Sequence, residues 1–445
     1  MGTGEWTDDT DMAIVIARAV ADGGDLRATA VADAVAAGWW DWARKATDVG
    51  MQTSSVLHAA VRAGGPGAEP TAEALQVAAA EHHRVHGQSG GNGSLMRTAP
   101  VALAYLRDED GLVEAASAVS ALTHFDHEAG EACVLWCLAI RHAVLTGDLD
   151  MRVGLSRLPA DRAAVWAQRL HVAETSEPRD FDRNGWVVQA LQAAWCAITT
   201  TRGRGDREAD HLRLALEAAV RGGRDTDTVA AIAGGLLGGV YGASAVPGTW
   251  RRRVHGWPGL RGRDLVRLGV LIARGGRPDR QGWPSAPTVD YSSWDGTDVV
   301  ARHPHDEGVW LSGVDVITDP PAEVDAVVSL CRLGAGEVPS MGIEVGNHVE
   351  VWLVDSASEA SNPHLDFVLD DTADLIGELR AEGLTVLVHC VAARSRTPSV
   401  AALHSMRVAG VSAREAIEAV RTALPEARPN RAFRAALSRA EGGGL

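Results

Sequence analysis

Lysine is almost missing from this chain: Lys45 is the single one among 42 basic residues, the rest being arginine. Acidic residues reach 58, and the resulting net charge of −16 removes any sequence-wide attraction to nucleic acid or an anionic membrane. Cysteine is scarce and scattered. Cys133, Cys137, Cys196, Cys331 and Cys390 are odd in number, no C-x-x-C pair occurs and no charged-then-apolar leader opens the chain, so a reducing, cytoplasmic setting is expected. Long apolar runs are missing except at 229–246, where Gly234, Gly235, Gly238, Gly239 and Gly242 favour a buried, tightly packed helix over a membrane span. What remains is ordinary globular composition, with 46% hydrophobic and 22% charged residues.

The 445 residues are enough for two or three domains. Alanine- and leucine-rich text with helical spacing fills 1–272 and predicts an all-α domain. Glycine, proline and arginine then dominate 273–290, including Gly275, Gly276, Pro278, Gly282, Pro284 and Pro287, which reads as a linker. From 291 to 445 short β-type runs (308–311, 326–330, 349–354, 385–388) alternate with helical patterns at 367–380 and 413–423. That alternation predicts an α/β domain on a mostly parallel sheet.

Two acidic clusters each precede a helical run: Trp6-Thr7-Asp8-Asp9-Thr10, and Asp225-Thr226-Asp227-Thr228. Either alone is what a helix cap looks like, since Thr and Asp cap N-termini and carboxylates complement the dipole. Capping, however, does not need paired carboxylates interleaved with hydroxyls, whereas a hard divalent cation does. Between the clusters lie Gly91-Asn92-Gly93-Ser94-Leu95-Met96-Arg97 with Ala99-Pro100, and Leu122-Thr123-His124. A glycine loop of that kind lets the backbone approach a diphosphate closely, and is otherwise a simple turn; His124 fits a helix-packing role as well as a ligand contact.

In this order and spacing the motifs, with Gly223-Arg224 ahead of the second cluster and Tyr241-Gly242 and Pro247 after it, resemble the ADP-ribosylglycohydrolase family over residues 1 to about 270. The resemblance implies Thr7, Asp8, Asp9, Asp225, Asp227 and Thr228 as ligands of two Mg²⁺ or Mn²⁺ ions. It implies Gly91, Asn92, Gly93, Ser94, Met96 and His124 as ADP-ribose contacts, and hydrolysis of an N- or O-linked ADP-ribosyl group as the reaction. Members of the family carry a further helix and a glutamate near the reacting ribose at the N-terminal side of the first cluster. Glu5 does not occupy that place, so binding of metal and ADP-ribose is implied more firmly than turnover.

In the second domain the apolar run 386–388 leads into His389-Cys390-Val391-Ala392-Ala393-Arg394-Ser395-Arg396-Thr397-Pro398 and then a helix. The Cys-x5-Arg spacing alone is weak, since Cys196 and Arg202 share it by accident. Strand before and helix after make the difference, because a helix N-terminus and loop N–H groups bind a tetrahedral oxyanion and favour thiolate. Cys390 then reads as nucleophile and Arg396 as a bidentate phosphate grip. Thr397 can hydrogen-bond the leaving sulfur. The stretch from about 309 to 439, ending on Arg428-Pro429 and Phe433, resembles the dual-specificity protein phosphatases, which implies a general-acid aspartate after the preceding strand. Asp355 is the best match, ahead of Asp366, Asp370 and Asp371, which fall on a helical face. The family commonly has glycine where this chain has Ala393, so strain is expected there.

The expected protein is therefore a bifunctional hydrolase acting on an ADP-ribosylated protein or ADP-ribose derivative and on a phosphorylated substrate, with neither nucleic acid nor membrane as partner. The alternative is an ADP-ribose sensor that has lost glycohydrolase activity, attached to an active phosphatase.

Overall fold

The computed structural model describes residues 2–442; of the chain end expected to fray (441–445), 443–445 lie outside the described residues. The chain divides into two compact units, Met1–Gly242 with His255–Arg277, and Ala243–Val254 with Pro278–Leu445.

The first unit is helical apart from a two-residue antiparallel ladder, His255–Gly256 against Leu260–Arg261. Four helices position its site: α1 (Asp8–Val20), α2 (His127–Thr146), α3 (Val187–Thr201) and α4 (Thr226–Tyr241). Asp126 caps α2 by accepting from the Glu128 N–H at 2.9 Å, and Gly147 closes it in the left-handed conformation. Nearly every α2 residue from Ala132 to Ile140 is buried. Among the described residues α2 is the one helix long and apolar enough to cross a membrane, and most of it lies inside this unit. The glycine-rich run becomes α4 and packs against α2. A Cβ on Gly239 would stand 3.3 Å from that of Ala143 on α2, and one on Gly235 3.2 Å from that of Ala99 on the short helix Ala99–Ala104, so the glycines permit close approach to both. Trp136 Nε1 also donates to the Ile232 carbonyl at 3.1 Å.

The second unit is a five-stranded sheet with helices, as the α/β reading expects. Its strands are β1 (Val300–His303), β2 (Asp306–Ser312), β3 (Ala326–Ser329), β4 (His348–Glu350) and β5 (Val386–His389), in the order β1-β2-β5-β3-β4. The β1–β2 pair is antiparallel and the other pairings are parallel. β5 is central and buried at all four residues, which is why its sequence is a continuous apolar run rather than an alternating one. Helices α5 (Leu365–Ala381), α6 (Arg396–Ala409), α7 (Ala413–Ala423) and α8 (Arg431–Gly442) complete it.

Two boundaries differ from the expectation of 1–272, a linker at 273–290 and 291–445. Residues 278–290 are built into the second unit: Trp283 and Val289 are buried, and Ala335 and Gly336 donate to the Ala286 and Pro287 carbonyls at 2.9 and 2.8 Å. The segment Ala243–Val254 also belongs to the second unit. There Gly248 N–H and Arg251 both reach Asp371, and Arg252 forks onto Glu382 at 2.7 Å.

Candidate active sites

In the first unit Thr7 and Asp225 occupy the N-cap positions of α1 and α4, yet neither side chain makes a capping hydrogen bond. The Thr7 hydroxyl instead donates to Asp9, and Asp225 Oδ2 accepts from Asn92 Nδ2 at 2.7 Å. Although 215 or so residues separate the two clusters in sequence, they face each other closely enough to perturb one another. Burial, then Asp9, Asp48, Asp227 and Asp225, push the Asp8 carboxyl up to about 7. Burial pushes Asp9 up to about 6, with the Thr7 and Thr228 hydroxyls opposing and Asp227 and Asp225 adding to it. Asp225 is likewise raised, chiefly by burial. Asp9 is 1% exposed, and its Oδ1 has no hydrogen-bond partner. A buried, unpartnered carboxylate oxygen among other acids is costly unless a cation occupies the space beside it, and hard oxygen donors are the set that Mg²⁺ or Mn²⁺ takes. Among the described residues, however, no group of three His, Cys, Asp or Glu side chains is arranged to hold a metal ion, so the acids face one another without forming a finished cage.

The glycine loop abuts this cluster. Asn92 Nδ2 bonds both Asp225 and the Asn184 carbonyl (2.8 Å), while Asn184 accepts from the Asp225 N–H and donates to the Gly223 carbonyl. Between those two anchor points Arg224 takes φ +66°, a left-handed backbone that this clamp holds. Beneath the loop lies His124, which burial drives down to about 3, so it stays neutral. Arg97 Nη2 donates to Thr123 Oγ1 at 2.6 Å, and the same hydroxyl is hydrogen-bonded to His124 Nδ1 at 2.8 Å. The other ring nitrogen, Nε2, faces the loop. A Cβ on Gly91 or Gly93 would meet the His124 ring at 3.2 or 3.0 Å, so a side chain at either would crowd the ring. The Ser94 and Met96 side chains are buried in the core instead of lining an open face.

Three participants were not read from sequence: Asp48 in the field around Asp8, Asn184, and Gln52, whose amide donates to the Ser89 and Thr123 carbonyls at 3.0 and 2.9 Å. All lie outside the recognisable motifs, and only folding brings them in.

In the second unit the carboxyl ends of β2, β3 and β5 align, with His389 opposite both Ser312 and Ser329. The loop from Cys390 leaves this edge and enters α6, whose first residue is Arg396. Cys390, Arg396 and Thr397 are all buried, and Thr397 Oγ1 has no partner. Arg396 Nη1 is held by the Leu330 and Leu353 carbonyls at 2.9 and 3.1 Å, and its Nε lies 3.8 Å from Asp355 Oδ2. Ala393 takes φ +48°, the left-handed backbone expected at this position.

Behind the loop Ser340 N–H donates to His348 Nδ1 at 3.0 Å, so His348 carries its proton on Nε2, 2.7 Å from Ser329 Oγ. The same Ser329 hydroxyl is hydrogen-bonded to His389 Nε2 at 2.6 Å. Burial drives His389 down to about 3, and it supports the loop as a neutral ring. Asp355 also accepts from Asn430 Nδ2 at 2.9 Å, a partner that follows the Arg428-Pro429 signal directly. Asp366, Asp370 and Asp371 are each occupied by an arginine: Arg439, Arg407 and Arg251.

The ADP-ribosylglycohydrolase family model matches residues 1–279, and that for the dual specificity phosphatase catalytic domain matches 343–442. The chain is 26% identical over 262 residues to ADP-ribosylarginine hydrolase Tri1 of Pseudomonas putida (strain GB-1), covering 57% of this chain and 63% of that protein. Over 83 residues it is 29% identical to Dual specificity protein phosphatase 1 of Arabidopsis thaliana, covering 19% of this chain and 42% of that protein. It thus spans less than two thirds of the length of these curated relatives. A solved ADP-ribosylglycohydrolase-related protein complex is 26% identical, covers 62% of this chain and 83% of its own, and superposes with a TM-score of 0.43.

Proposed function

Because the chain belongs to the ADP-ribosylglycohydrolase family, with a second part in a phosphatase family, we propose that it removes ADP-ribose from modified arginine in a metal-dependent reaction and hydrolyses phosphate monoesters through Cys390. The arginine linkage follows the relative's name. One observation carries the first activity: both N-cap side chains, Thr7 and Asp225, forgo capping and face a shared acidic cluster in which Asp9 Oδ1 is buried and unpartnered.

Thr7, Asp8, Asp9, Asp225, Asp227 and Thr228 would hold two Mg²⁺ ions, with Mn²⁺ as a substitute. Bound there, they would orient ribose hydroxyls and stabilise the charge that develops as the glycosidic bond breaks. The chain itself supplies the rest. Asn92 fixes Asp225 through its side chain while its backbone N–H is held by the Gly185 carbonyl, the glycines of the 91–94 loop would let the backbone approach the diphosphate, and neutral His124 supports that loop from beneath.

In the second unit, Arg396 grips two phosphate oxygens and Cys390 Sγ attacks phosphorus in line with the leaving alcohol. Asp355 gives that alcohol a proton as the P–O bond breaks. Water then hydrolyses the phosphocysteine, with Thr397 Oγ1, otherwise unpartnered, bonding the departing sulfur.

The test is release of free ADP-ribose from an ADP-ribosylated arginine protein with Mg²⁺. Wild type is expected to release it, and an Asp225→Ala, Asp227→Ala double variant is not. Binding of ADP-ribose by wild type without release would replace the hydrolase with a sensor. Cys390→Ser is expected to abolish phosphate release and leave ADP-ribose release intact.

A further inference from the structure

Arginine in the second unit is mostly spent on carboxylates: Arg302, Arg332, Arg380, Arg407 and Arg439 pair with Glu323, Asp279, Asp306, Asp370 and Asp366. Arg394 and Arg428 differ. Both are exposed, and among the described residues no carboxylate pairs with either side chain. Arg394 stands inside the cysteine loop, two residues ahead of Arg396, and its backbone is set from both sides. Ala393 before it turns at φ +48°, and its own carbonyl accepts from the Arg428 N–H at 2.6 Å. The guanidinium is located as well: a Cβ on Gly296 would stand 3.7 Å from Arg394 Nη2, so the side chain lies against the backbone there.

An exposed, unpaired arginine is ordinarily a hydrated surface group. This one adjoins a phosphate site whose own arginine is already committed. Arg396 Nη1 is held by the Leu330 and Leu353 carbonyls, and the rest of its fork serves the ester that is hydrolysed. A further anion on the substrate has to find another partner, and the net charge of −16 offers it no attraction from the molecule at large.

We propose that Arg394, with Arg428 bonded to its backbone, forms a second anion subsite, so that the second unit acts on phosphate monoesters whose alcohol part bears a further phosphate, the chemistry of a sugar or nucleoside bisphosphate; this rests on the phosphatase reading above. Residues two apart are separated by at most about 7 Å along the chain, so a phosphate carried on the alcohol part of an ester held at Arg396 falls within reach of the Arg394 side chain. The planar fork of Arg394 takes two of its oxygens. The phosphate recognised is not the one hydrolysed: Cys390 attacks the ester held by Arg396, and the other phosphate keeps its bonds and leaves with the alcohol.

The test uses the full-length chain and two esters that differ by one phosphate, phenyl phosphate and resorcinol bisphosphate. Wild type is expected to favour the bisphosphate in kcat/KM by about tenfold beyond the statistical factor for two equivalent esters, mostly through KM. Added sodium chloride should erode that preference. Arg394→Gln is expected to bring the preference to within about threefold of the statistical factor, and Arg394→Lys, which keeps the charge but not the fork, to retain part of it. A ratio of kcat/KM values does not depend on how much enzyme is folded, so partial misfolding of a variant leaves the readout intact. A wild type active on phenyl phosphate without preference for the bisphosphate, or a preference that survives Arg394→Gln, would overturn the proposal and leave the phosphatase standing. No phosphate release from either ester would overturn the phosphatase reading and the proposal with it.

Discussion

At Ala393 the backbone turns through φ +48° with a Cβ attached, in the loop that wraps the candidate phosphate site. A left-handed non-glycine residue costs roughly 1 kcal/mol, so Ala393→Gly is expected to stabilise the second unit by about that amount, offset in part by the added freedom of glycine in the unfolded chain. Urea denaturation followed by tryptophan fluorescence checks it, and a destabilised variant would mean the surrounding loop has absorbed the strain. Ala393 was legible in the sequence because it stands inside a motif. Arg224, strained to φ +66° by the Asn184 clamp, was not, since Asn184 comes from 40 residues away and no local pattern marks it.

Histidines set a pH dependence at the same scale. Burial lowers His389 to about 3 and His303 to about 4 from an ordinary 6.5. The unfolded chain then binds more protons than the folded one between those values. Their stability contribution is whole above pH 6.5 and is lost as pH falls below it, by up to about 1.4 kcal/mol per pH unit for each ring. The urea midpoint of the second unit is expected to drop between pH 7 and pH 5; a flat midpoint across that range would mean these rings are charged when folded.

At the scale of elements, the parallel core of the second unit could be read because buried strands are short apolar runs bounded by turns. β1 could not, since Val300–His303 is a half-exposed edge strand containing Arg302. The supposed linker misled for another reason: glycine and proline mark irregular backbone, and irregular backbone is not always a free tether, as the buried Trp283 demonstrates. The segment Ala243–Val254 belongs to the second unit through contacts invisible in sequence. Arg251 Nη2 lies 3.1 Å from Asp371, Nη1 donates to the Glu350 carbonyl at 2.6 Å, and both partners of the pair are about nine-tenths buried. Burial lowers Arg251 and raises Asp371, so each resists its charge and depends on the other. Arg251→Ala is expected to destabilise the second unit by about 3 kcal/mol, because the carboxylate left behind is buried with only the Gly248 N–H. A loss below about 1 kcal/mol by urea denaturation would show that Asp371 instead becomes protonated at little cost.

Across the whole molecule, acidity is concentrated as well as abundant: of the excess that gives −16, four carboxylates stand in one cluster at the ends of α1 and α4. The first unit is drawn together from distant stretches to build it, with Trp6 N–H bonded to the His255 carbonyl and His255 N–H to that of Gly4, both at 3.0 Å. Folding therefore assembles mutually repelling groups, and any cation that binds them stabilises the folded first unit specifically. At Mg²⁺ about a hundredfold above its dissociation constant, the gain is about 2.7 kcal/mol. The thermal midpoint of the first unit is expected to rise with Mg²⁺ or Mn²⁺ at constant ionic strength while that of the second stays fixed. The Asp225→Ala, Asp227→Ala variant should start from a higher midpoint without metal, being relieved of repulsion, and gain little on addition. Equal shifts in both units, or in variant and wild type alike, would mean that the ions act by screening surface charge, and the two facing clusters would then have to be explained as an electrostatic cost with no metal to offset it.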